Sequence, residues 1–167
     1  MCLDGYISIG TDCFKLSSSK LTWNEAQRKC QEQGDQLAVP KELNDFTEYF
    51  LNQKWHGKYF LVGGRREPGG IWKWMDGRNK EFDARYWAED NPTYTDSTEF
   101  VSPRCLAIRF GDRGFVDYLC SFNDHYICQK NTLDIDDEQA RSNIINEEPC
   151  GTTFNNIIVA AILILLF

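Results

Sequence analysis

The segment from residue 87 to residue 94, WAEDNPTY, holds acidic, amide and hydroxyl side chains on both sides of Pro92. Oxygen atoms of these types are ligands for hard metal cations, and the same groups can hydrogen-bond a sugar. A loop that combines Asp, Asn and Thr is, by default, simply a solvated loop. Whether this segment forms a metal and sugar site therefore depends on the elements that hold it.

The sequence contains no recognisable cluster of catalytic residues. The two histidines, His56 and His125, stand beside no serine or free-cysteine motif, and no two carboxylates occupy recognisable positions for acid–base chemistry. The glycine pairs at 63–64 and 69–70 lack the lysine and the helix that a phosphate-binding loop requires. The sequence predicts a protein that is not an enzyme.

Charge and cysteine content restrict the partners and the compartment. The 167 residues include 18 basic and 25 acidic side chains, so a net charge of -7 repels nucleic acid. Seven cysteines without a C-x-x-C pair indicate disulfides, which form in extracellular proteins. The first residues, MCLDG, lack the charged and apolar leader of a secreted protein. We therefore expect the sequence to start after that leader or to lack its first segment.

Two helices are predicted in the first third of the chain. The capping box Thr22-Trp23-Asn24-Glu25 starts the first helix, and Gly34 ends it. A second helix follows Pro40 and ends before Gly57. Each helix has one apolar face, formed by Trp23, Ala26 and Cys30 in the first and by Leu43, Phe46 and Phe50 in the second.

Beyond Gly57 the pattern changes to short apolar runs broken by glycine, which indicates strands. The turn residues 111–114 join two of the runs into a predicted hairpin. Helices followed by several strands indicate the α+β class. The predicted strands are Tyr59 to Val62, Ile71 to Trp74, Cys105 to Phe110, Phe115 to Tyr118 and Tyr126 to Cys128.

Three motifs in a fixed order give the chain a resemblance to a known family. Leu61-Val62-Gly63-Gly64 is similar to the core strand motif WIGL, residues 72–77 (WKWMDG) resemble the signature W-x-W-x-D-G, and Trp87 matches the tryptophan that opens a ligand-binding loop. Together with six suitably placed cysteines, these motifs make residues 1–130 resemble a C-type lectin-like domain. The resemblance implies a disulfide-stapled α+β fold with two helices, antiparallel sheets and a long ligand-binding loop.

The resemblance also selects one of the 15 pairings that six cysteines permit. It implies the disulfides Cys30–Cys128 and Cys105–Cys120, of which the second would pin the base of the long loop. It further implies an amino-terminal hairpin closed by Cys2–Cys13, and it leaves Cys150 without an assigned partner.

In lectins of this family a Glu-Pro-Asn loop motif and a Trp-Asn-Asp strand motif together bind calcium, and two sugar hydroxyls complete the metal's shell. Here Asn91 and Thr93 flank Pro92, and the strand motif reads Phe115-Val116-Asp117. The resemblance implies calcium as the cofactor, with Asn91, Thr93 and Asp117 as its ligands. A carboxylate and an amide have been lost, however, which weakens the expected site. The predicted ligand-binding residues are Asn91, Thr93, Asp117, Tyr94, Asp96 and Glu99.

The remainder of the chain divides into two segments. Residues 131–149 are acidic and without aromatic residues, which predicts a linker or stalk. Residues 150–167 end in the apolar run IIVAAILILLF, about 16 Å long as a helix against a hydrocarbon core of roughly 30 Å. A glycosylphosphatidylinositol anchor signal is the favoured interpretation, and it implies membrane tethering. A truncated transmembrane helix and a buried terminal element are the alternatives.

The residues and the resemblance together predict an extracellular protein, secreted or anchored at the cell surface. It is expected to recognise carbohydrate, a glycoprotein or a glycan-bearing surface with the assistance of calcium, in pattern recognition of the innate-immune type. Nucleic acid is not an expected partner. The alternative is a calcium-independent receptor of the same fold that binds a protein. A chelator distinguishes the two, because only the first would lose its ligand in EDTA.

Overall fold

The computed structural model describes residues 2–53, 57–67, 70–77, 84–93, 103–111 and 114–130. The chain divides into two units, Met1–Thr132 and Leu133–Phe167. The predicted linker, 131–149, and the predicted tail, 150–167, lie outside the described residues.

Two helices and eight strands make up the described part of the chain. The predicted helices and the five predicted strands are all present, with ends that differ by a few residues. In chain order the elements are β1 (Ile7–Ile9), β2 (Asp12–Leu16), α1 (Trp23–Gln31), β3 (Asp35–Leu37), α2 (Leu43–Leu51), β4 (Tyr59–Arg66), β5 (Trp72–Trp74), a 3₁₀ turn (Ala84–Tyr86), β6 (Arg104–Arg109), β7 (Phe115–Leu119) and β8 (His125–Lys130).

The strands β1, β2 and β3 were not predicted from residue patterns. Two of them have three residues, and polar side chains such as Ser8, Asp12 and Gln36 interrupt their apolar positions. Strands this short cannot be recognised from the sequence, since three residues are too few to show the alternation of apolar and polar side chains. β1 pairs with β2, and β8 lies between β2 and β3. The resemblance, by contrast, had implied the amino-terminal hairpin.

Helix α1 begins where the capping box predicts. The carboxylate of Glu25 accepts hydrogen bonds from the backbone N–H of Thr22, at 3.0 Å, and from the Thr22 hydroxyl, at 2.6 Å. Trp23, Ala26 and Cys30 are buried on one face. Gly34, at φ +75°, follows the end of the helix in the left-handed region that favours glycine.

The strand order is β1-β2-β8-β4-β6-β7, with β3 paired to β8 and β5 paired to β4. Neighbours are antiparallel except β4 and β8, which run parallel through the pairs Phe60↔His125 and Leu61↔Tyr126. The sheets are therefore mixed, an arrangement that the resemblance to an antiparallel fold did not include. A parallel pair requires a long crossover connection, and here the whole of β5, β6 and β7 lies between the two strands.

Alternate residues of the central strands enter two apolar clusters. Phe60, Leu106 and Ile108 pack with the aromatic side chains of α2, whereas Leu61 and Ala107 pack with α1. Since successive side chains of a strand point to opposite faces, the two helices cover opposite faces of the sheet. The sheet is thus buried on both sides where β4 and β6 meet.

Three disulfides connect these elements in the pairs that the resemblance implies. Cys30–Cys128 joins α1 to β8 across 98 residues, Cys105–Cys120 bridges β6 and the end of β7, and Cys2–Cys13 joins the amino terminus to β2. The predicted hairpin is also present, as β6 and β7 pair in the register Leu106↔Asp117. Together the hairpin and its disulfide form the support for the candidate site.

Candidate functional site

Strand β7 carries Asp117, the one family ligand retained by identity, and the segment 84–93 runs beside the start of this strand. Trp87 forms a parallel bridge with Phe115, and the backbone N–H of Ala88 donates to the carbonyl of Phe115 at 2.9 Å. Asp117 itself is buried, with 8% of its surface exposed. The backbone therefore brings the loop residues to the side chain of Asp117.

Gly114 allows this close approach. A Cβ atom at Gly114 would lie 2.3 Å from the carbonyl oxygen of Tyr86 and 2.6 Å from the carbonyl carbon of Trp87, closer than real Cβ atoms come. Its φ of +108° is also in the region that favours glycine. The residue before β7 must be glycine if the loop is to keep this path.

The loop turns at a cis peptide bond between Asn91 and Pro92, and Asp90 before it has a φ of +61°. The side-chain amide of Asn91 donates to the carbonyl of Glu89 at 2.9 Å. The carbonyl oxygen of the same side chain lies 3.4 Å from the backbone nitrogen of Asp117, from which it accepts a hydrogen bond. Asn91 thus connects the loop to β7 with both ends of its amide.

Thr93 makes the closest contact with Asp117. The backbone N–H of Thr93 donates to Oδ1 of Asp117 at 3.0 Å. The Thr93 hydroxyl lies 3.0 Å from Oδ1 and 2.8 Å from Oδ2, and it donates its single hydrogen to one of them at a time. We call this pair the Thr93–Asp117 clasp. It places both oxygens of the carboxylate in hydrogen bonds within the protein.

The three predicted metal ligands therefore come together, but the described residues do not fit a calcium ion. Calcium takes six to eight oxygen ligands, and affinity rises with the number of carboxylates. Here Asn91 and Thr93 are neutral, the carboxylate of Asp117 is engaged by Thr93, and Val116 supplies a buried apolar side chain. Within the described ranges, no three His, Cys, Asp or Glu residues are grouped to hold a metal.

The other predicted ligand-binding residues, Tyr94, Asp96 and Glu99, lie outside the described residues, as does His56. His125 starts β8, and its ring stacks on Phe60 with centroids 5.1 Å apart. This histidine packs against the core.

The tryptophans of the family motifs also pack in the structure. Trp74 is 2% exposed, and the rings of Trp72 and Trp87 meet edge to face with centroids 5.2 Å apart. Both Trp72 and Trp87 are partly buried against the main apolar cluster. These side chains position the loop and are not exposed ring faces for a ligand.

A polar network that the sequence did not suggest lies at the far end of β7. Asp124 accepts hydrogen bonds from the hydroxyl of Tyr118 at 2.9 Å and from the backbone N–H of His125 at 3.0 Å. The ammonium group of Lys20 lies 2.8 Å from the same carboxylate. No motif relates these residues, and only the fold brings them together.

This network shifts the pKa values of its members. Burial raises the pKa of Asp124, but the hydrogen bonds from Lys20, Tyr118 and His125 outweigh it and hold that pKa below the ordinary value. Burial, together with the bond to Asp124, raises the pKa of Tyr118 to about 12. The carboxylate stays ionised and the phenol stays protonated at neutral pH.

The profile of the family described as Lectin C-type domain matches residues 19–130. The chain belongs to the C-type lectin domain family. This membership confirms the α+β fold with two helices and disulfides that the motifs predicted.

Among the relatives of this C-type lectin domain is C-type lectin 1 of Hydrophis hardwickii, 29% identical over 136 residues, which cover 77% of this chain and 79% of the relative. Two other curated relatives are longer proteins, and the matched part of this chain covers 42% of the length of the first and 62% of the length of the second.

Two solved structures have the same fold. The C-type lectin domain of murine dendritic cell inhibitory receptor 2, in complex with N-glycan, has a TM-score of 0.65 at 20% identity, over 79% of this chain and all of that one. A calcium-independent type II antifreeze protein has a TM-score of 0.60 at 25% identity, over 78% of this chain and 94% of that one. The same fold thus occurs in a receptor domain solved with N-glycan and in a calcium-independent antifreeze protein.

Among the helices that the structure describes, none is both long and apolar enough to span a membrane.

Proposed function

We propose that this C-type lectin domain is an extracellular, non-enzymatic recognition module that binds a protein ligand without calcium. The binding surface is the loop residues 89–93 together with the edge of β7. The Thr93–Asp117 clasp is the observation that carries this proposal. Thr93 occupies acceptor positions on both oxygens of this carboxylate, and Asn91 and Thr93 add no negative charge, so these residues bind a calcium ion weakly. Without the metal, two sugar hydroxyls lose their shared ligand.

The surface beside the clasp is exposed and held in place, as a binding surface requires. Glu89, Asp90 and Thr93 are exposed, while Asn91 and Pro92 are half-buried. The hydrogen bonds of Asn91 and Thr93 hold this short loop against β7, so little order has to be gained on binding. A similar fold in a protein described as calcium-independent, at 25% identity, supports recognition without the metal.

Direct recognition of a glycan is the second candidate. The murine receptor domain with the same fold was solved in complex with N-glycan. The exposed carboxylates of Glu89 and Asp90 could accept hydrogen bonds from sugar hydroxyls with no metal between them. This candidate and the first share the loop surface and differ in the chemistry of the ligand.

Calorimetric titration of calcium into the full chain tests the metal part of the proposal. We expect no binding tighter than about 1 mM, the weak limit for extracellular calcium modules. Asp117→Asn is the informative variant, and Asp45→Asn, on the exposed face of α2, is the matched control. Sub-millimolar binding that Asp117→Asn weakens and Asp45→Asn leaves intact would overturn calcium independence.

A cell-binding assay tests the ligand class. We expect labelled protein to bind cells equally in EDTA and calcium, to bind after periodate oxidation of surface sugars, and to lose binding after mild protease treatment. Loss with periodate alone favours the glycan candidate, and loss in EDTA contradicts both. Glu89→Lys should lower binding, whereas Glu32→Lys, an equal charge change at the exposed residue that follows α1, should not.

The three disulfides support an extracellular location, because such bonds persist in oxidising compartments. We also propose that the apolar run in residues 157–167 serves to tether the protein to a membrane. Release from cells by a phosphatidylinositol-specific phospholipase is expected for a glycosylphosphatidylinositol anchor, and retention would favour a transmembrane segment.

A further inference from the structure

Two cations face each other on the hairpin of β4 and β5. Arg65 and Lys73 are directly opposite in the antiparallel register, and both are exposed. Like charges in this position are destabilising. The chain as a whole has a net charge of -7, so two adjacent cations stand out against an acidic background. The two cations repel each other, and an anion between them would offset that repulsion.

One carboxylate accompanies the pair. Nε of Arg65 donates to Oε1 of Glu67 at 2.7 Å. This bond and the nearby charge of Lys73 hold the pKa of Glu67 below the ordinary value, so the carboxylate stays ionised at neutral pH. The described charged side chains that line a cavity at this point are thus two cations and one carboxylate.

The three charged side chains stand at the wall of a cavity of about 320 Å³. Trp23, Trp74 and Met75 also line it, and of these Met75 is 37% exposed while the two tryptophans are almost fully buried. The cavity therefore combines a cationic wall with an apolar floor. Trp23 is held rigidly, because its indole N–H donates to the carbonyl of Val62 at 2.8 Å.

We propose that this cavity binds a sugar ring that bears a carboxylate. Its volume is at the lower end of the range for small-molecule sites, which suits one ring and not an extended chain. The carboxylate of the sugar would lie between Arg65 and Lys73, in charge-assisted hydrogen bonds. The carbon–hydrogen face of the ring would contact Met75 and the edges of the indoles. The site is separate from the Thr93–Asp117 clasp and does not depend on the proposed function of that loop.

An NMR titration of the full chain with glucuronate tests this assignment. Glucuronate should shift the indole N–H signals of Trp23 and Trp74, and neutral glucose, which has the same ring without the carboxylate, should not. Added salt should weaken the effect, since it screens exposed charges. Equal shifts with both sugars, or shifts with neither, overturn the proposal.

The variant Lys73→Gln should weaken the binding of glucuronate by about tenfold or more, because a charge-assisted bond is lost. Lys73→Arg should retain binding. The matched control is Lys29→Gln, which removes an equal charge from another exposed lysine next to a carboxylate, Glu32. Binding that Lys73→Gln leaves unchanged, or that Lys29→Gln weakens equally, overturns the site.

The unfolding temperature of Lys73→Gln and a titration with an acidic peptide are two further readouts. Lys73→Gln should unfold at about the same temperature as the parent chain, since it relieves the repulsion with Arg65 and loses the attraction to Glu67. A lower unfolding temperature would mean that the pair is structural and would count against the proposal. A glutamate peptide should shift the same indole signals less than glucuronate does. Larger shifts with the peptide would overturn the proposal and identify an acidic peptide as the ligand.

Discussion

Thr93 shows how one side chain alters the chemistry of a site. The family resemblance implies an asparagine at this position, with an oxygen available to a metal. The threonine instead donates a hydrogen bond to Asp117, with its hydroxyl 2.8 Å from the nearer oxygen. A hydroxyl that donates a hydrogen bond to the neighbouring carboxylate stabilises the loop directly. In this chain, hydrogen bonds from Thr93 to Asp117 hold the loop against β7.

The variant Thr93→Val tests the clasp, because it keeps the shape of the side chain and removes the hydroxyl. We expect a loss of about 1.5–3 kcal/mol in the free energy of unfolding, the range for hydrogen bonds to charged groups. Urea denaturation measures it. Thr47→Val on α2 is the control, since the Thr47 hydroxyl donates only to helix carbonyls and should cost much less. Equal losses in the two variants would refute the clasp.

Asp124 makes a prediction about acid stability. Its folded-state pKa is below the ordinary value, so its contribution is complete above the unfolded pKa of about 3.9 and is lost as pH falls through the folded pKa. We expect Asp124→Asn to be less stable than the parent chain at neutral pH and the difference to shrink below about pH 4. Thermal unfolding measured across this pH range checks it. A difference that is constant with pH would exclude the ionised network.

The β6–β7 hairpin is the element that positions the site. It carries Asp117, its turn carries Gly114, and the Cys105–Cys120 disulfide closes its open end. The segment 84–93 lies against its start through the bridge between Trp87 and Phe115. Because the loop contacts backbone atoms of this hairpin, the path of the loop depends on the absence of a side chain at residue 114.

Gly114→Ala should therefore be strongly destabilising. A left-handed φ costs roughly 1–2 kcal/mol in a residue with a Cβ, and overpacking against the backbone adds about 1–3 kcal/mol. The matched control is Gly34→Ala, where φ is also positive but no atom lies within 4 Å of the new Cβ. Urea denaturation should show the smaller loss for Gly34→Ala, and similar losses at both positions would contradict the close contact.

On the scale of the whole molecule, the disulfides constrain segments of very different length. The cysteines of the Cys30–Cys128 disulfide are 98 residues apart in the sequence, and those of Cys2–Cys13 are 11 residues apart. Chain entropy assigns about 4.7 kcal/mol to a loop of the first size and about 2.8 kcal/mol to one of the second. The longer bridge also connects α1 with β8, which lies between β2 and β4 in the sheet.

Replacing both cysteines of a pair by alanine tests this difference. The Cys30/Cys128 double variant should lose about 2 kcal/mol more than the Cys2/Cys13 double variant, as measured by urea unfolding of the oxidised chains. The second variant also reports whether the amino-terminal hairpin folds without its bridge. A greater loss for the Cys2/Cys13 pair would show that local packing outweighs chain entropy.

The family motifs and the apolar patterns were sufficient for much of the fold. The capping box located α1, the spacing of Leu43, Phe46 and Phe50 located α2, and the glycine-bounded apolar runs located the central strands. The three short strands at the amino-terminal side could not be found in this way. β2 and β3 pair with β8, which is far away in the sequence, and β1 pairs with β2. The residues of these strands are too few and too polar to indicate those pairings.

The sequence by itself determined the fold class, the helix start at Thr22, the candidate loop and the residues near its proline, because these depend on local pattern and on motifs in order. Only the tertiary structure decided how those residues act. The clasp joins groups 24 residues apart, and the Arg65–Lys73 pair exists only in one strand register. Whether a carboxylate contacts a metal or a hydroxyl depends on which groups the packing of the hairpin against the loop brings beside it.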